Sequence, residues 1–311
     1  MKSLILAVIL DFILGDPYSF PHPVKLMGKI ISFEEGLVRR FAKTRRKLKL
    51  GGFFIVIINI FLGFFLPFSL LKIISPYRTF HGLVNIYLIY TCLAARSLHY
   101  EASKVREALD SSLEEGRNRL LYIVGRDTQE LNREEIIRAT VETVAENTSD
   151  GLIAPLFYIF IFGPAGGLAY KFVNTMDSML GYTNAKYRDI GYFPAIVDDI
   201  FNYIPARLTS LLMCLSSLGS YNIKNGFKIL KRDKRKHKSP NAGYPEAAVA
   251  GLLGIQLGGG SLYHGEFIDK PYIGDNLNQI SDRHIIDTVK IMYRSQFLLL
   301  LIYIIISIRT S

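Results

Sequence analysis

The chain has 311 residues, of which 50% are apolar, and its mean hydropathy is +0.23. Because the apolar residues are concentrated in long runs, the composition excludes an ordinary soluble enzyme and indicates an integral membrane protein. The formal net charge of +10 would also suit a nucleic-acid-binding protein. The positive residues flank the apolar runs, however, where membrane insertion and anionic lipid explain them more simply, so we expect no nucleic-acid partner.

The apolar runs differ in length. The first 14 residues resemble a signal peptide, but an aspartate interrupts them and no small-residue cleavage site follows, so we expect a retained helix. Residues 50–71 carry no charge and are long enough to cross a bilayer. The runs 79–95, 208–219 and 295–308 are shorter, and the last two reach spanning length only if flanking arginines extend to the interface.

Two basic blocks predict the orientation. Residues 25–49 contain nine Lys or Arg and two Glu, and residues 224–238 contain eight Lys or Arg and one Asp. Positive residues beside membrane segments remain in the cytoplasm. We therefore expect a multi-pass protein of the cell membrane, with its active site on the cytoplasmic face together with the polar block 99–150.

The periodicity predicts an all-α fold with about four to six membrane segments, some short or broken, and polar cytoplasmic helices and loops. We expect one membrane-embedded domain, built from an N-terminal helix (1–14), a helical hairpin (50–98), polar helices (99–150), broken membrane segments carrying the site motifs (151–219), and a basic loop with a terminal helix (220–311). Thr128 or Asn132 is the expected N-cap of the last polar helix, with Glu135 completing a capping box for Asn132.

Four residues that could take part in chemistry, two cysteines and two histidines, have simpler explanations. Cys92 and Cys214 lie far apart in apolar runs, where buried free thiols are expected rather than metal ligands. His22 and His264 are isolated, so a hydrogen-bonded structural role is expected for each.

The stretch ETVAENTSDG (142–151) brings three carboxylates to the border of an apolar run. Glu142 and Glu146 are four residues apart and share a helix face, with Asp150 one turn further and Asn147 beside them. Gly151 is expected to end the helix. A solvated charged stripe is the alternative, but charge at the edge of hydrocarbon usually faces a cavity, a metal or a partner.

Two later motifs repeat this combination of acids, amides and bases beside apolar runs. They are Lys171, Asn174 and Asp177 in YKFVNTMDSMLGY, and Asp198, Asp199, Asn202 and Arg207 in VDDIFNYIPARL. Carboxylate and amide oxygens suit Mg²⁺, which commonly bridges to phosphate oxygens. Lys171 and Arg207 could hold the same phosphates.

A fourth candidate is KSPNAGYPEAAVAGLLG (238–254). Ser239 and Asn241 precede a small-residue helix that Glu246 opens, and a helix N-terminus can accept an anion. The following LGGGS is expected to be a flexible turn, since it does not fit a dinucleotide fingerprint. No P-loop, nucleophile elbow or HExxH motif is present in the sequence, so no common motif indicates how ATP would bind.

Taken in order, these fragments resemble the CobD/CbiB family of cobalamin biosynthesis. The resemblance runs from about residue 10 to 275 and rests on DFILGDPYSFPHPVKLMGKII, ETVAENTSDGLIAPLFY, GGLAYKFVNTMDSMLGY, DDIFNYIPARLT and SPNAGYPEAAVAGLLG. One departure is GYFPAIVDDI, where Pro194 and Ile196 replace a small residue followed by Ala-Arg, which puts one substrate contact in question.

The resemblance implies adenosylcobinamide-phosphate synthase activity in an integral membrane protein. The substrates would be adenosylcobyric acid, through its ring-D propionate, and aminopropanol or aminopropanol phosphate. A carboxylate must be activated before an amine attacks it, so an acyl phosphate formed from ATP with Mg²⁺ is expected. Other corrinoid-pathway enzymes could dock on the protein, and the lipid bilayer is its other partner.

On this reading the acidic residues supply metal ligands and a base for the incoming ammonium: Glu142, Glu146, Asp150, Asp177, Asp198 and Asp199, with the metal on Asp150, Asp177, Asp198 and Asp199. The expected substrate-binding residues are Lys25, Asn147, Lys171, Asn174, Asn202, Arg207, Ser239, Asn241 and Glu246, among which Lys171, Arg207 and Lys25 would hold phosphate or propionate oxygens.

A full membrane crossing by residues 151–170 would place the later motifs on the opposite side from Glu142 and Asp150. Two prolines and three glycines interrupt this run between residues 155 and 167. Broken helices at membrane depth are tolerated where they are buried in protein or line a wet cavity. We therefore predict that 151–202 is a re-entrant or tilted, broken segment that returns to the cytoplasmic face.

Two other classes of protein share some of these features. An intramembrane prenyltransferase also places Asp and Asn motifs over Mg²⁺ and a diphosphate, and it would bind isoprenoid diphosphates without depending on a corrinoid. A transporter would use the broken segment at the bilayer midplane, but paired inverted halves are not evident in the sequence.

Overall fold

The computed structural model describes residues 2–16, 22–263 and 266–310, without the side chains of 261–268 and 310. It confirms an all-α membrane protein. The helices are α1 (Lys2–Leu14), α2 (Pro23–Phe41), α3 (Arg45–Ile73), α4 (Arg78–Tyr90), α5 (Ala95–Ser111), α6 (Leu113–Leu120), α7 (Arg133–Thr148), α8 (Ala154–Leu180), α9 (Tyr192–Ser216), α10 (Ile223–Asp233), α11 (Gly243–Leu253) and α12 (Asp282–Thr310). A π-helical turn (Ser149–Ile153) joins α7 to α8, and β1 (Ser261–Tyr263) pairs antiparallel with β2 (Glu266–Ile268).

The chain forms two compact units. Unit 1 contains Met1–Ala94 and Ala154–Tyr203, and unit 2 contains Ala95–Ile153 and Ile204–Ser311. Each unit therefore combines two separate stretches of sequence around its own core. The expectation that the whole chain is a single domain stays a prediction.

In unit 1, α3 packs closely along α8 because small residues face the contact. A Cβ on Gly63 would lie 2.8 Å from the Cα of Ala169, and one on Gly52 would lie 2.0 Å from the carbonyl oxygen of Ile190. Small residues at helix contacts allow backbones to approach each other, which is a common basis of helix association in membranes. A larger side chain at either glycine would separate the segments.

In unit 2, α7 is the central helix, with α5, α6, α11 and α12 packed around it. Its start confirms one of the two predicted caps. The Asn132 side chain accepts from the Glu135 backbone N–H, and the Glu135 side chain accepts from the Asn132 backbone N–H, forming a capping box. Thr128, the alternative cap, is buried and donates to the carbonyl of Arg117.

Several smaller expectations are also confirmed. Cys92 and Cys214 are buried free thiols. His22 has the expected structural role, because it caps α2, which begins at Pro23, by accepting from the Val24 N–H. His264 and residues 17–21 lie outside the described residues.

Three helical stretches among the described residues are long and apolar enough to cross a membrane: Arg45–Ile73, Arg133–Leu180 and Asp282–Arg309. In the first and third, only 28% of the most apolar window is buried within the protein, which leaves their large apolar side chains facing outward, as in a lipid environment. The short run 295–308 proves to be part of the third stretch. By contrast, α1 and α4 have 13 residues each, fewer than the roughly 20 that a spanning helix needs.

The break predicted within 151–170 is confirmed at one place. Gly163 has φ 66° and ψ −165°, so the helical path is interrupted immediately before Pro164. Gly151 does not end the preceding helix as expected. The chain continues through the π-helical turn, because Ser149, Gly151, Leu152 and Ile153 are buried and their packing outweighs the poor helix propensity of glycine.

The return of residues 151–202 to the cytoplasmic face is tested by cysteine labelling in a background lacking Cys92 and Cys214. Residues 184 and 186 are exposed in the loop that follows α8, so a cysteine at either place is accessible to a reagent. We expect an impermeant thiol reagent to label both only from the cytoplasmic side. Ser111→Cys, exposed at the end of α5 in the polar block, is the reference for that side. Labelling of 184 and 186 from the outside only would contradict the return.

Candidate functional site

The structure distributes the predicted site residues between the two units. Unit 1 holds Lys25, Lys171, Asn174, Asp177, Asp198, Asp199 and Asn202, and unit 2 holds Glu142, Glu146, Asn147, Asp150, Arg207, Ser239, Asn241 and Glu246. Within the units these residues form three groups: a cavity and an arginine cluster in unit 2, and an aspartate cluster in unit 1.

The cavity in unit 2 has a volume of about 250 Å³ and a largely charged lining. Four of the predicted residues line it: Glu142, Glu146, Asn147 and Glu246. The other charged or titratable residues in its wall are Arg126, Lys236, His237, Lys238 and Lys270. Acids and bases of opposite charge therefore surround one small space, which suits a ligand that itself carries both charges.

Glu142 is the anchor of this cavity. One of its oxygens accepts from Arg126 Nη2 at 2.6 Å, and the other accepts from the backbone N–H of Gly258 at 2.7 Å. Both partners are held in a buried setting, where charge-assisted hydrogen bonds are strong. Glu142 thus joins α7 to the loop before it and to the glycine-rich turn after α11, and it shapes the wall more than it offers a reactive group.

Glu246 differs from Glu142 because, in the part of the chain that the structure describes, no Lys or Arg forms an ion pair with it. It is 4% exposed in the first turn of α11, and burial raises the pKa of its carboxyl well above the ordinary value, with further contributions from Glu142 and Glu146. The opposing charges of Lys270 and Arg126 are weaker. Burial and the neighbouring acids therefore favour the protonated form of Glu246 over its carboxylate.

His237 faces Glu246 with a defined tautomer. Its Nδ1 accepts from the Ser239 backbone N–H at 3.0 Å, so the neutral ring carries its proton on Nε2, which lies 4.0 Å from Glu246 Oε1. Burial lowers the pKa of His237, and the nearby charge of Lys270 lowers it further. The pair is not in hydrogen-bonding contact, so a ligand group could lie against both.

The basic side of the cavity rests on a buried aspartate. Asp233 is fully buried and accepts from Arg232 at 2.7 Å through each oxygen, from Lys236 at 2.9 Å and from the Gly274 backbone N–H at 2.8 Å. Lys236 also donates to the Tyr272 carbonyl at 3.1 Å. This network fixes the end of α10 against the segment that carries Lys270.

A second group in unit 2 surrounds Arg207. Its guanidinium lies 4.3 Å from the ring centre of Tyr244 and donates to Asn241 Oδ1 at 3.3 Å. The Ser239 hydroxyl accepts from the backbone N–H groups of Asn241 and Ala242, each at 3.2 Å. Two of the amides expected to receive an anion before α11 are therefore already hydrogen-bonded within the protein.

The third group lies in unit 1, where α8 and α9 carry the aspartates. Asn202 donates to Asp198 Oδ2 at 3.0 Å and accepts from the Tyr170 hydroxyl at 2.8 Å. Asn174 also hydrogen-bonds to Asp198, and Asp177 and Asp199 are close enough to affect its charge. The structure thus brings together five of the predicted residues of unit 1.

The donor set of this cluster suits a hard cation. Asp198 is buried, and its Oδ1 has no hydrogen-bond partner within the part of the chain that the structure describes. Carboxylates and amides are the oxygen donors that Mg²⁺ accepts, and Mg²⁺ usually keeps several waters. In the described ranges no three His, Cys, Asp or Glu side chains are close enough to hold a metal ion together. Water or substrate oxygens would have to complete such a site.

The remaining predicted residues lie in defined elements. Asp150 is half-buried in the π-helical turn, a feature that is frequent at functional sites. Lys171 is half-buried on α8, one turn before Asn174, and Lys25 is exposed in the first turn of α2.

Comparison with known proteins identifies the family. Residues 4–292 match the family described as CobD/Cbib protein. The cobalamin biosynthesis protein CobD of Clostridium acetobutylicum is 50% identical over 98% of both chains, and that of Clostridium tetani is 48% identical over 97% of this chain and 96% of its own. The cobalamin biosynthesis protein CbiB of Salmonella arizonae is 43% identical over 96% of this chain and 95% of its own. The chain belongs to the CobD/Cbib family. No solved structure matches it.

Sequence reasoning missed part of the cavity of this CobD/Cbib protein. Lys236 lies in a basic block that was interpreted only as an orientation signal. Lys238 begins the fourth candidate stretch but was given no role there, and Arg126 and Lys270 lie outside every motif. The glycine-rich turn was expected to be merely flexible, yet Gly258 donates to Glu142. The run of glycines was the usable sequence signal, because successive glycines permit the backbone to approach a side chain in this way. Gly258 does so with a φ of 79°.

The departure from the family pattern is at the start of α9. Pro194 is buried, whereas Ile196 is 37% exposed. The missing arginine therefore concerns an outward-facing position of α9, two residues before the buried Asp198.

The pKa of Glu246 predicts that Glu246→Gln stabilises this CobD/Cbib protein at high pH. Below the ordinary pKa of glutamate the carboxyl is neutral in both the folded and the unfolded chain, so the variant has little effect. At higher pH the unfolded chain is stabilised by ionisation, while the folded chain, facing Glu142, Glu146, Lys270, Arg126 and His237, keeps the proton. In thermal melts of the detergent-solubilised protein we expect a gain of a few degrees at pH 8 and almost none at pH 4.

Glu130→Gln, at an exposed position, is the matched control and should not change the melting temperature at either pH. A lower melting temperature for Glu246→Gln at pH 8 would show instead that the folded protein stabilises the Glu246 carboxylate.

Proposed function

We propose that this protein is an enzyme of cobalamin biosynthesis that forms an amide bond between the propionate of adenosylcobyric acid and aminopropanol or aminopropanol phosphate. The observation that supports this most is the match over residues 4–292, together with relatives of nearly equal length that are named cobalamin biosynthesis proteins. The cavity of unit 2 supports it independently, because it combines acids and bases in a small space.

The proposed reaction proceeds in two steps. The propionate oxygen attacks the γ-phosphorus of ATP, which forms an acyl phosphate and releases ADP. The neutral amine then attacks the acyl carbon, the C–N bond forms, and the C–O bond to phosphate breaks. Inorganic phosphate leaves with the second amine proton, so the product is adenosylcobinamide or its phosphate. Both steps depend mainly on positioning and on stabilising negative charge.

The protein's own residues would perform separate tasks in these steps. A carboxylate of the cavity would accept the first proton of the ammonium, since a protonated amine cannot attack. Phosphate or propionate oxygens would be held by Arg207, through the two parallel N–H groups of its guanidinium, and by Lys171, through the charge of its ammonium. Asp177 and Asp198, with Asp199 nearby and with water or substrate oxygens completing the coordination, would hold Mg²⁺, which when bound supplies charge neutralisation of the transferred phosphoryl group.

We place the protein in the cell membrane with this chemistry on the cytoplasmic face, because nucleotide and corrinoid are expected there. The two basic blocks support this orientation, since the positive-inside rule retains them in the cytoplasm.

Mass spectrometry of the product tests the proposal. Purified protein in detergent is incubated with adenosylcobyric acid, ATP, Mg²⁺ and either aminopropanol or its phosphate. We expect a corrinoid heavier by the amine minus one water, and one ADP formed for each product. Product formation without ATP would overturn the carboxylate activation. Absence of any corrinoid product, with binding of isoprenoid diphosphates, would favour the prenyltransferase.

Asp177→Asn tests the aspartate cluster of unit 1. We expect a loss of about 100-fold in turnover, of the order found when one electrostatic contact to a transition state is removed. Membrane insertion and thermal stability should be nearly unchanged, since the substitution is isosteric and Asp177 is only half-buried. Retained turnover at saturating Mg²⁺ would remove Asp177 from the site. Asp110→Asn, at an exposed position of α5, is the control.

A further inference from the structure

We propose that the cavity of unit 2 is the binding site of the amine substrate and that it holds this substrate as a zwitterion, with an ammonium and a phosphate recognised together. The inference rests on the proposed function and deepens it, because it assigns one substrate to one set of residues. Its observations are the size of the cavity, the charges of its wall and the uncompensated carboxyl of Glu246.

The size excludes the larger substrates. Pockets for drug-sized ligands have volumes of roughly 300–1,000 Å³, and the cavity of about 250 Å³ lies below that range. A corrinoid is larger than a drug-sized ligand. A complete nucleoside triphosphate is comparable to the largest drug-sized ligands. A short amino alcohol and its phosphate ester fit the space.

Two cations of the wall are paired with buried acids, and two further lysines line the cavity. Arg126 is paired with Glu142 and Lys236 with Asp233, so both hold the wall in place. Lys270 faces Glu246 and His237, and Lys238 is an exposed residue of the same lining. Two lysine ammonium groups on one cavity suit the double negative charge of a phosphate monoester, which Lys binds as a point charge.

The acids of the wall suit the ammonium of the same ligand. Glu146 and Glu246 both line the cavity, and Glu142 and Glu146 each disfavour the ionised form of Glu246. A bound ammonium would relieve this repulsion, because a nearby cation favours the carboxylate. Asn147 donates one amide N–H to the Thr143 carbonyl at 2.9 Å, and its amide oxygen can accept from a cationic ligand.

Glu246 is then the group that removes the proton from the amine. Burial and the neighbouring acids favour its protonated form, whereas a bound ammonium favours its carboxylate, with the proton released to solvent. Its carboxylate next accepts one proton from the ammonium, which gives the neutral amine and the Glu246 carboxylic acid. A buried carboxylate is a stronger base than an exposed one, so this transfer is easier here than with an ordinary glutamate.

Calorimetric binding to the full-length protein in detergent tests the assignment, with aminopropanol phosphate, aminopropanol and inorganic phosphate as the probes. We expect wild type to bind aminopropanol phosphate at least 10-fold more tightly than either of the other two. Lys238→Met should weaken aminopropanol phosphate at least 10-fold and leave aminopropanol unchanged. Glu246→Gln should weaken both amines and leave inorganic phosphate unchanged.

Lys228→Met is the matched control, since Lys228 is exposed on α10 and does not line the cavity. It should bind all three probes like wild type. Because Lys238 is exposed, its variant should fold normally, and a melting temperature equal to that of wild type verifies this.

The possible outcomes separate the inference from the proposed function. The assignment of the cavity would be overturned if Lys238→Met and Glu246→Gln both bind aminopropanol phosphate with normal affinity while the protein still forms the corrinoid amide. That result would leave the proposed function intact. Loss of amide formation in wild type, with no binding of either amine, would overturn the proposed function itself.

Discussion

The charged cavity depends on the double contact of Glu142. One carboxylate on α7 binds the Arg126 guanidinium and the Gly258 backbone N–H, and it thereby joins three segments that are distant in sequence. An isolated charge buried at this depth would be strongly destabilising, but an ion pair with a further hydrogen bond is tolerated. Removal of Arg126 would leave the charge of Glu142 without its paired cation, next to Glu146 and Glu246. The wall of the cavity and the charge of its ligand-facing acids therefore depend on one pair of contacts.

The apolar surface of the chain sets a different constraint, which acts on the backbone. In a bilayer every backbone polar group must be satisfied internally, so irregular structure is confined to places where protein surrounds it. The π-helical turn meets this condition, since Ser149, Gly151, Leu152 and Ile153 are all buried. The break at Gly163 uses a φ of 66°, which costs glycine little and would strain other residues. Each irregularity lies close to a proline: the π-helical turn precedes Pro155, and the break at Gly163 precedes Pro164. The missing N–H of a proline removes a helical hydrogen bond.

Local patterns in the sequence predicted what depends on local physics. The spanning length of α3, the capping box at Asn132 and the break near Pro164 follow from composition and spacing within one segment, and each is present in the structure. The sharing of one cavity by Glu142, Glu146 and Glu246 was not predictable in the same way. Glu246 lies about 100 residues further along the chain, Arg126 and Lys270 belong to no motif, and Lys238 was given no role within its own. They reach the cavity through tertiary contacts, such as the Asp233 network, that periodicity does not encode.

The three carboxylates of ETVAENTSDG therefore differ in their surroundings although they share one short stretch. Glu142 is compensated on both oxygens and fixes the wall, whereas Glu146 faces the interior of the cavity and raises the proton affinity of Glu246. Asp150 lies beyond them in the widened π-helical turn. Carboxyl groups of the same intrinsic acidity acquire different roles when one is paired with a cation and another faces like charge. A paired anchor next to carboxyls that line the same space is what a site needs in order to bind a cation and then remove its proton. The edge of the apolar run supplies the low-polarity setting that strengthens both effects.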